Sequence, residues 1–274
     1  MPARTLPRGD GVTKRGEKMS TRRWEEVAED YNRIFEADEV YWNVLETVVG
    51  EAAAGEGRTV LDLGCGTGNL TALLVKKYPG TKVCGVDPAD NMVRLVRDRF
   101  REVKAVEITK GEGIRIPYLS EHFDCVVSNL ALHHVLPEQR TPCAMELARV
   151  LKPGGRLVYA DLFWETPGRR DDPARMREII EKISGYALHC LAIGAPEMAV
   201  FLCQQLPLHL EEKNEYVAPV EDWLNPLGEA GFERLEVFLP PPPGFAFRII
   251  RGEKARERGS CQLESNRESS DFGV

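Results

Sequence analysis

The run Val60-Leu61-Asp62-Leu63-Gly64-Cys65-Gly66-Thr67-Gly68-Asn69 constrains this chain more than any other stretch. An apolar segment carrying one acid and followed by three alternating glycines reads as a buried strand that turns sharply into a helix at a binding site. Glycine takes positive φ and presents no Cβ to a ligand lying against it. Strand and helix signals then alternate along the chain, the pattern of a parallel α/β sheet. With 274 residues, one well-buried α/β domain with an elaboration is the expected size.

The spacing of the glycines separates the ligands that such a turn can hold. A dinucleotide fingerprint would place glycines at 64, 66 and 69, but position 69 is Asn69 and the third glycine falls at Gly68. A phosphate-gripping loop needs Gly-Lys-Ser/Thr, whereas Gly68 is followed by Asn69 and Leu70. Asp62 precedes the glycines, and no lysine or arginine follows them before Lys76. A cofactor bearing positive charge and no phosphate fits. S-adenosylmethionine (SAM) meets that description, with sulfonium and ammonium cations, a carboxylate suited to amides at a helix start, and a ribose diol. The next strand, Lys82-Val83-Cys84-Gly85-Val86-Asp87, ends in an acid about 20 residues beyond the loop, where a carboxylate reaches ribose hydroxyls. That offset alone would serve NAD equally, so the decision rests on the glycine spacing and on the motifs that follow.

Those motifs, taken in order, resemble the class I SAM-dependent methyltransferases of the small-molecule, ubiquinone-biosynthesis type, over residues 24–251. Asp62 to Gly68 is similar to the first motif of that family, and Gly85-Val86-Asp87-Pro88 with Asn91-Met92 to its second. Gly111-Glu112-Gly113-Ile114 stands where many relatives carry Gly-Asp-Ala against the adenine. Phe123 to His134 resembles the fourth strand and the loop behind the methyl group, and Leu147 to Val158 the helix, turn and fifth strand. The resemblance implies a Rossmann-like, seven-stranded, mostly parallel sheet with a C-terminal antiparallel hairpin and a helical insertion. It also implies SAM as cofactor, held by Asp62, Gly64, Cys65, Gly66, Asn69, Asp87, Pro88, Met92, Glu112, Gly113 and Asn129, with Tyr31 of an N-terminal helix covering it.

Strands are expected at 58–63, 82–87, 105–109, 123–128, 156–162, 233–239 and 245–251, the last two joined by Pro240-Pro241-Pro242-Pro243-Gly244. Helices are expected at 69–77, 89–101, 138–151 and 220–230, with an amphipathic helical segment over 24–51. Residues 1–20 and 252–274 have the polar, glycine- or serine-containing composition of disordered tails, and Met19 is an alternative start. Between them, 21–251 forms the methyltransferase domain, and its helical insertion at 165–220 is expected to close over the acceptor. Met198, Phe201 and Leu202 would then line a dry pocket, the alternatives being an oligomer contact or a flap of the core.

A net charge of −7 argues against a general basic field for nucleic acid, which favours a small organic acceptor. No apolar run is long enough to span a bilayer and no secretory signal is present, so a cytoplasmic protein is expected. Seven cysteines without a Cys-x-x-Cys pair suggest neither a disulfide framework nor a zinc site, and no metal ligand is assigned.

Methyl transfer is an in-line displacement at a sulfonium, so most of the acceleration can come from holding the acceptor in line in a dry pocket. An acceptor that must lose a proton needs a base, and His133 and His134 are the candidates, with a packing or capping pair as the alternative. His189 and His209 lie in the insertion, where they could face an acceptor. Ser128-Asn129-Leu130-Ala131 differs from the Asn/Asp-Pro-Pro-Tyr/Phe signature of exocyclic base methylation. A His-His pair also occurs in wobble-uridine tRNA methyltransferases, which makes tRNA the alternative acceptor. A non-catalytic SAM-binding regulator is the third reading.

Overall fold

A computed structural model of the protein describes residues 33–241 and 245–256. Tyr31, most of both expected tails and part of the proline connector lie outside these residues. Seven strands form one sheet: β1 (Thr59–Leu63), β2 (Lys82–Asp87), β3 (Val106–Lys110), β4 (Phe123–Asn129), β5 (Leu151–Leu162), β6 (Phe232–Phe238) and β7 (Phe247–Lys254), in the order β3-β2-β1-β4-β5-β7-β6. The first five are parallel neighbours, and β7 pairs antiparallel with both β5 and β6. This is the expected Rossmann-like sheet with its C-terminal hairpin. All but the first residue of β1 and of β2 are buried or nearly so, because helices cover both faces, and such strands read as continuous apolar runs.

Most boundaries shift by one or two residues, and two strands move further. Strand β7 continues through Lys254 because Gly252 and Glu253 stay in register with Leu157 and Arg156, so the segment after 251 begins as sheet. Strand β5 starts at Leu151, opposite Phe123, and absorbs the Lys152-Pro153-Gly154-Gly155 turn as an irregularity in the β4–β5 pairing.

Among the described residues the α-helices are α1 (Glu39–Glu51), α2 (Asn69–Lys77), α3 (Asp90–Phe100), α4 (Arg140–Val150), α5 (Pro173–Ala192), α6 (Pro196–Glu211) and α7 (Glu221–Glu229). Asp38 caps α1 by accepting from the amides of Val40 and Tyr41, and Asp172 caps α5 likewise, with Pro173 at its first turn. One core joins α1 and α2 to the sheet through Val44, Val48 and Leu74, and takes in Tyr186 and Met198 from α5 and α6. The opposite core packs Leu147 of α4 and Trp223 and Leu227 of α7 on β4, β5 and β7. The insertion is therefore helical as expected, and it shares the main core. Among the described residues no helix is long and apolar enough to cross a membrane.

Candidate functional site

The strand order reverses between β1 and β4, and the crevice at such a reversal, beyond the carboxyl ends of the strands, is where open α/β sheets hold ligands. On the β1 side, Gly64 has φ +75°, and a Cβ there would stand 2.2 Å from that of Ala131, so only glycine lets the two loops meet. The amides of Gly64 and Cys65 both donate to the Val86 carbonyl, at 2.7 and 3.1 Å, which pins the loop onto β2. Gly66 differs: its φ is +51°, and a Cβ would meet nothing within 4 Å. Open space lies over the middle of the loop, where a ligand can approach the backbone.

Asp87 closes the loop from the end of β2. Its Oδ2 accepts from the Gly66 amide at 2.9 Å and its Oδ1 from the Ala89 amide at 2.9 Å. Burial is the main influence on this carboxyl and lifts it to about 6 against the pull of those two amides. Asp62 is buried as well, accepts from the Thr71 hydroxyl at 2.6 Å, and is raised to about 7 by burial, with the Asp87 charge adding to the rise. Two neighbouring buried carboxyls, neither drawn down by a lysine or arginine among the described residues, create a local demand for positive charge.

The other expected cofactor residues divide. The Gly111 amide donates to the Asp87 carbonyl at 3.1 Å, which sets the turn containing exposed Glu112 and half-buried Gly113 beside the loop. Pro88 is exposed at the start of the same crevice wall, whereas Met92 is buried against Ala89. Cys65 packs its thiol among Val93, Val96 and Phe100, and burial pushes that thiol well above its ordinary value. The Asn69 side chain is committed on both ends, donating to the Tyr41 hydroxyl at 3.3 Å and accepting from Arg99 at 2.8 Å, so it ties α1, α2 and α3 together.

Across the crevice, the Ser128 hydroxyl donates to the Leu63 carbonyl at 2.7 Å and locks β4 to β1. Asn129 follows at the strand's end, and its Oδ1 is buried and accepts no hydrogen bond from the described residues. A buried acceptor left unsatisfied costs free energy, so this atom is poised for a donor from a ligand or water. Leu130 then takes φ +50°, a strained conformation for a branched residue, at the point where β4 leaves the sheet.

The chain continues into a short 3₁₀ turn, Leu132–His134. His133 is clamped: its Nδ1 lies 2.5 Å from Asp161 Oδ1 on β5, its Nε2 3.1 Å from Glu215 Oε2, and its amide donates to Asp161 Oδ2 at 3.0 Å. Burial alone would lower His133, but Asp161 and Glu215 together drive it up to about 10. Both ring nitrogens of His133 thus face a carboxylate. His134 is its opposite. Burial and the neighbouring His133 charge lower it, and its Nδ1 donates to the Asn214 carbonyl at 2.6 Å. Burial would raise Glu215, yet His134, His133 and His209 together hold it well below the ordinary carboxylate range.

Of the insertion's other histidines, His209 stands with Nδ1 3.9 Å from Glu215 and its ring edge-on to Trp164, while His189 packs on Phe245 at a centroid distance of 5.0 Å. Asp161, Asn214 and Glu215 were not foreseen. Asp161 lies near the end of the fifth strand and Glu215 follows α6, and their separation from His133 along the chain hides the meeting. Met198 is only 1% exposed and belongs to the core with Phe35, Tyr41 and Tyr186. Phe201 and Leu202 pack on the same core from a half-buried position.

Comparison with known proteins agrees with this arrangement. The profile of a family described as "Methyltransferase domain" matches residues 61–159. An uncharacterised methyltransferase of Geobacillus sp. strain WCH70 is 32% identical over 162 residues, covering 58% of this chain and 72% of that protein. Among solved structures, phosphoethanolamine N-methyltransferase 2 of Haemonchus contortus in complex with SAM superposes with a TM-score of 0.64 at 15% identity, over 92% of this chain and 62% of that one. A Haloferax volcanii methyltransferase in complex with the Trm112 methyltransferase activator superposes with a TM-score of 0.61 at 17% identity, over 85% of this chain and 98% of that one. At such identities the two structures share the fold.

Proposed function

We propose, from the premise that this chain belongs to the class I SAM-dependent methyltransferases, that it methylates a small organic molecule in the crevice between β1 and β4. When bound, SAM supplies an electrophilic methyl group on a sulfonium. The residues present fit it: the buried pair Asp62 and Asp87 favours a cation, and the open space above Gly66 admits a ligand against the backbone. Asp87 would hold the ribose hydroxyls, Gly64 and Gly66 would let the backbone approach, Glu112 and Gly113 would face the adenine, and Asn129 would offer its unpaired oxygen to a cationic donor.

The observation that carries the small-acceptor reading is the way the chain after α6 folds back over the ends of β4 and β5. The Tyr216 amide donates to the His133 carbonyl at 2.8 Å, and the Trp164 amide to the Ala218 carbonyl at 3.2 Å. Arg140, only 6% exposed, fastens the same segment by donating to the Tyr216 carbonyl at 2.8 Å and to Asp222 at 2.6 Å. Such a roof would keep water from the acceptor side, which favours orientation and desolvation of a weak nucleophile. It suits a molecule that enters whole better than a base on a folded RNA, and the net charge of −7 points the same way. Five of the six cysteines among the described residues are buried free thiols, which suits the reducing cytoplasm.

The test is transfer of label from methyl-labelled SAM to separated small-metabolite and RNA fractions of a cell extract. Label is expected in the small-molecule fraction. Label confined to RNA would overturn the acceptor class in favour of the tRNA reading while leaving the cofactor assignment intact.

A further inference from the structure

We propose that His133, His134 and Glu215 form a binding site for one divalent first-row transition-metal ion of the zinc class. Each residue offers one nitrogen or oxygen donor, and the three donor atoms lie within 4.8 Å of one another. Atoms bound tetrahedrally to one zinc ion at about 2.0–2.1 Å stand about 3.4 Å apart, so the widest pair must close by up to roughly 1.4 Å, within reach of side-chain rotation. The His133 Nε2 to Glu215 Oε2 distance, 3.1 Å, already matches two adjacent ligands of one ion.

The surroundings of the two imidazoles carry the inference further. A ligating histidine needs its other ring nitrogen tied to a carboxylate or carbonyl, which fixes ring and tautomer. Both rings meet that requirement here. His133 Nδ1 is held by the Asp161 carboxylate at 2.5 Å, and His134 Nδ1 by the Asn214 carbonyl at 2.6 Å. With the proton of the neutral imidazole on the anchored Nδ1, Nε2 is in each ring the nitrogen with a lone pair for a metal. Asp161 is further fixed by the His133 amide and by the Leu162 amide, so the anchor does not swing. The rings stand with centroids 4.0 Å apart, on consecutive residues of one 3₁₀ turn.

Two imidazoles and one carboxylate form the donor set of open zinc and non-haem iron sites, in which three protein ligands leave a position for water or a substrate atom. The hard-oxygen cage that calcium or magnesium prefers is absent from this set. The ion would join the loop after β4 to the segment after α6, beside the carboxyl ends of β4 and β5. It would thereby hold the roof of the acceptor side and present its open position there. This inference stands on the cluster alone and does not depend on the identity of the acceptor.

The test is calorimetric titration of the full chain, stripped with chelator, with Zn²⁺ and separately with Mg²⁺, together with the visible spectrum of the Co²⁺ form. One equivalent of Zn²⁺ should bind with Kd of about 1 µM or tighter, with Mg²⁺ binding far weaker. The Co²⁺ spectrum should lack the charge-transfer band of a thiolate ligand. His134→Ala should weaken Zn²⁺ at least tenfold, whereas His189→Ala, whose imidazole packs on Phe245, should keep the parental affinity. Circular dichroism of both variants checks that they fold. Absence of saturable Zn²⁺ and Co²⁺ binding by the parent chain would overturn the proposal, as would a thiolate band or equal affinity in His134→Ala. Each of these results leaves SAM binding, measured separately, as a distinct question.

Discussion

The Tyr186 hydroxyl donates to the Asp38 carboxylate, joining the insertion helix α5 to the cap of α1 across 148 residues of chain. Asp38 is fully buried, and its other oxygen already accepts from the Val40 and Tyr41 amides at 3.1 and 3.2 Å. Removing one donor from a buried carboxylate costs more than an ordinary hydrogen bond, because the charge keeps its desolvation penalty. Tyr186→Phe should therefore lower stability by about 1.5–3 kcal/mol in urea unfolding. An unchanged midpoint would show that the contact contributes nothing to docking the insertion.

The glycines of the loop after β1 should behave differently on substitution. Gly64→Ala places a Cβ 2.2 Å from that of Ala131 and holds alanine at φ +75°, so it should destabilise the fold by more than the roughly 1–2 kcal/mol of left-handed strain alone. Gly66→Trp carries the same kind of strain but points into open space, so it should stay folded and lose SAM binding. Thermal melts and calorimetry on both variants separate the outcomes. SAM affinity surviving in Gly66→Trp would place the cofactor elsewhere.

The sheet is legible in the sequence because its parallel strands, buried on both faces, read as apolar runs between turn signals. The glycine loop was legible for a related reason, since its positive-φ positions admit little but glycine. Side-chain commitments were not. Nothing local to Asn69 indicates that Tyr41 and Arg99 consume its amide, and nothing around Met198 distinguishes a pocket wall from a core residue. The acid partners of His133 arrive from β5 and from the chain after α6, so its surroundings depend on tertiary contacts that no spacing encodes.

Met198 makes that distinction measurable. Being 1% exposed and packed with Phe35, Tyr41 and Tyr186, it should behave as core, so Met198→Ala should cost about 2–5 kcal/mol of stability. SAM affinity of the folded fraction should remain within about threefold of the parent. A variant of parental stability with impaired turnover would return Met198 to the acceptor wall.

Asp62 and Asp87 should give the protein a pH dependence opposite to that of an ordinary paired carboxylate. Burial is the largest influence on both and lifts them to about 7 and about 6, so the folded chain holds these protons more tightly than the unfolded one, whose carboxyls titrate near 4. Stability from this source is fully present below the unfolded value and is lost as the pH rises through the folded values. In the absence of SAM, stability should thus decline from about pH 4 to about pH 7, and Asp62→Asn, which can still accept from Thr71, should flatten that decline. SAM reverses the preference, because a bound cation favours the ionised acids, so its affinity should rise as the pH passes through about 6. Thermal melts with and without SAM across this range, on the parent and on Asp62→Asn, measure both slopes. If the parent and Asp62→Asn gave parallel stability curves without SAM, Asp62 would not be the source of the pH dependence.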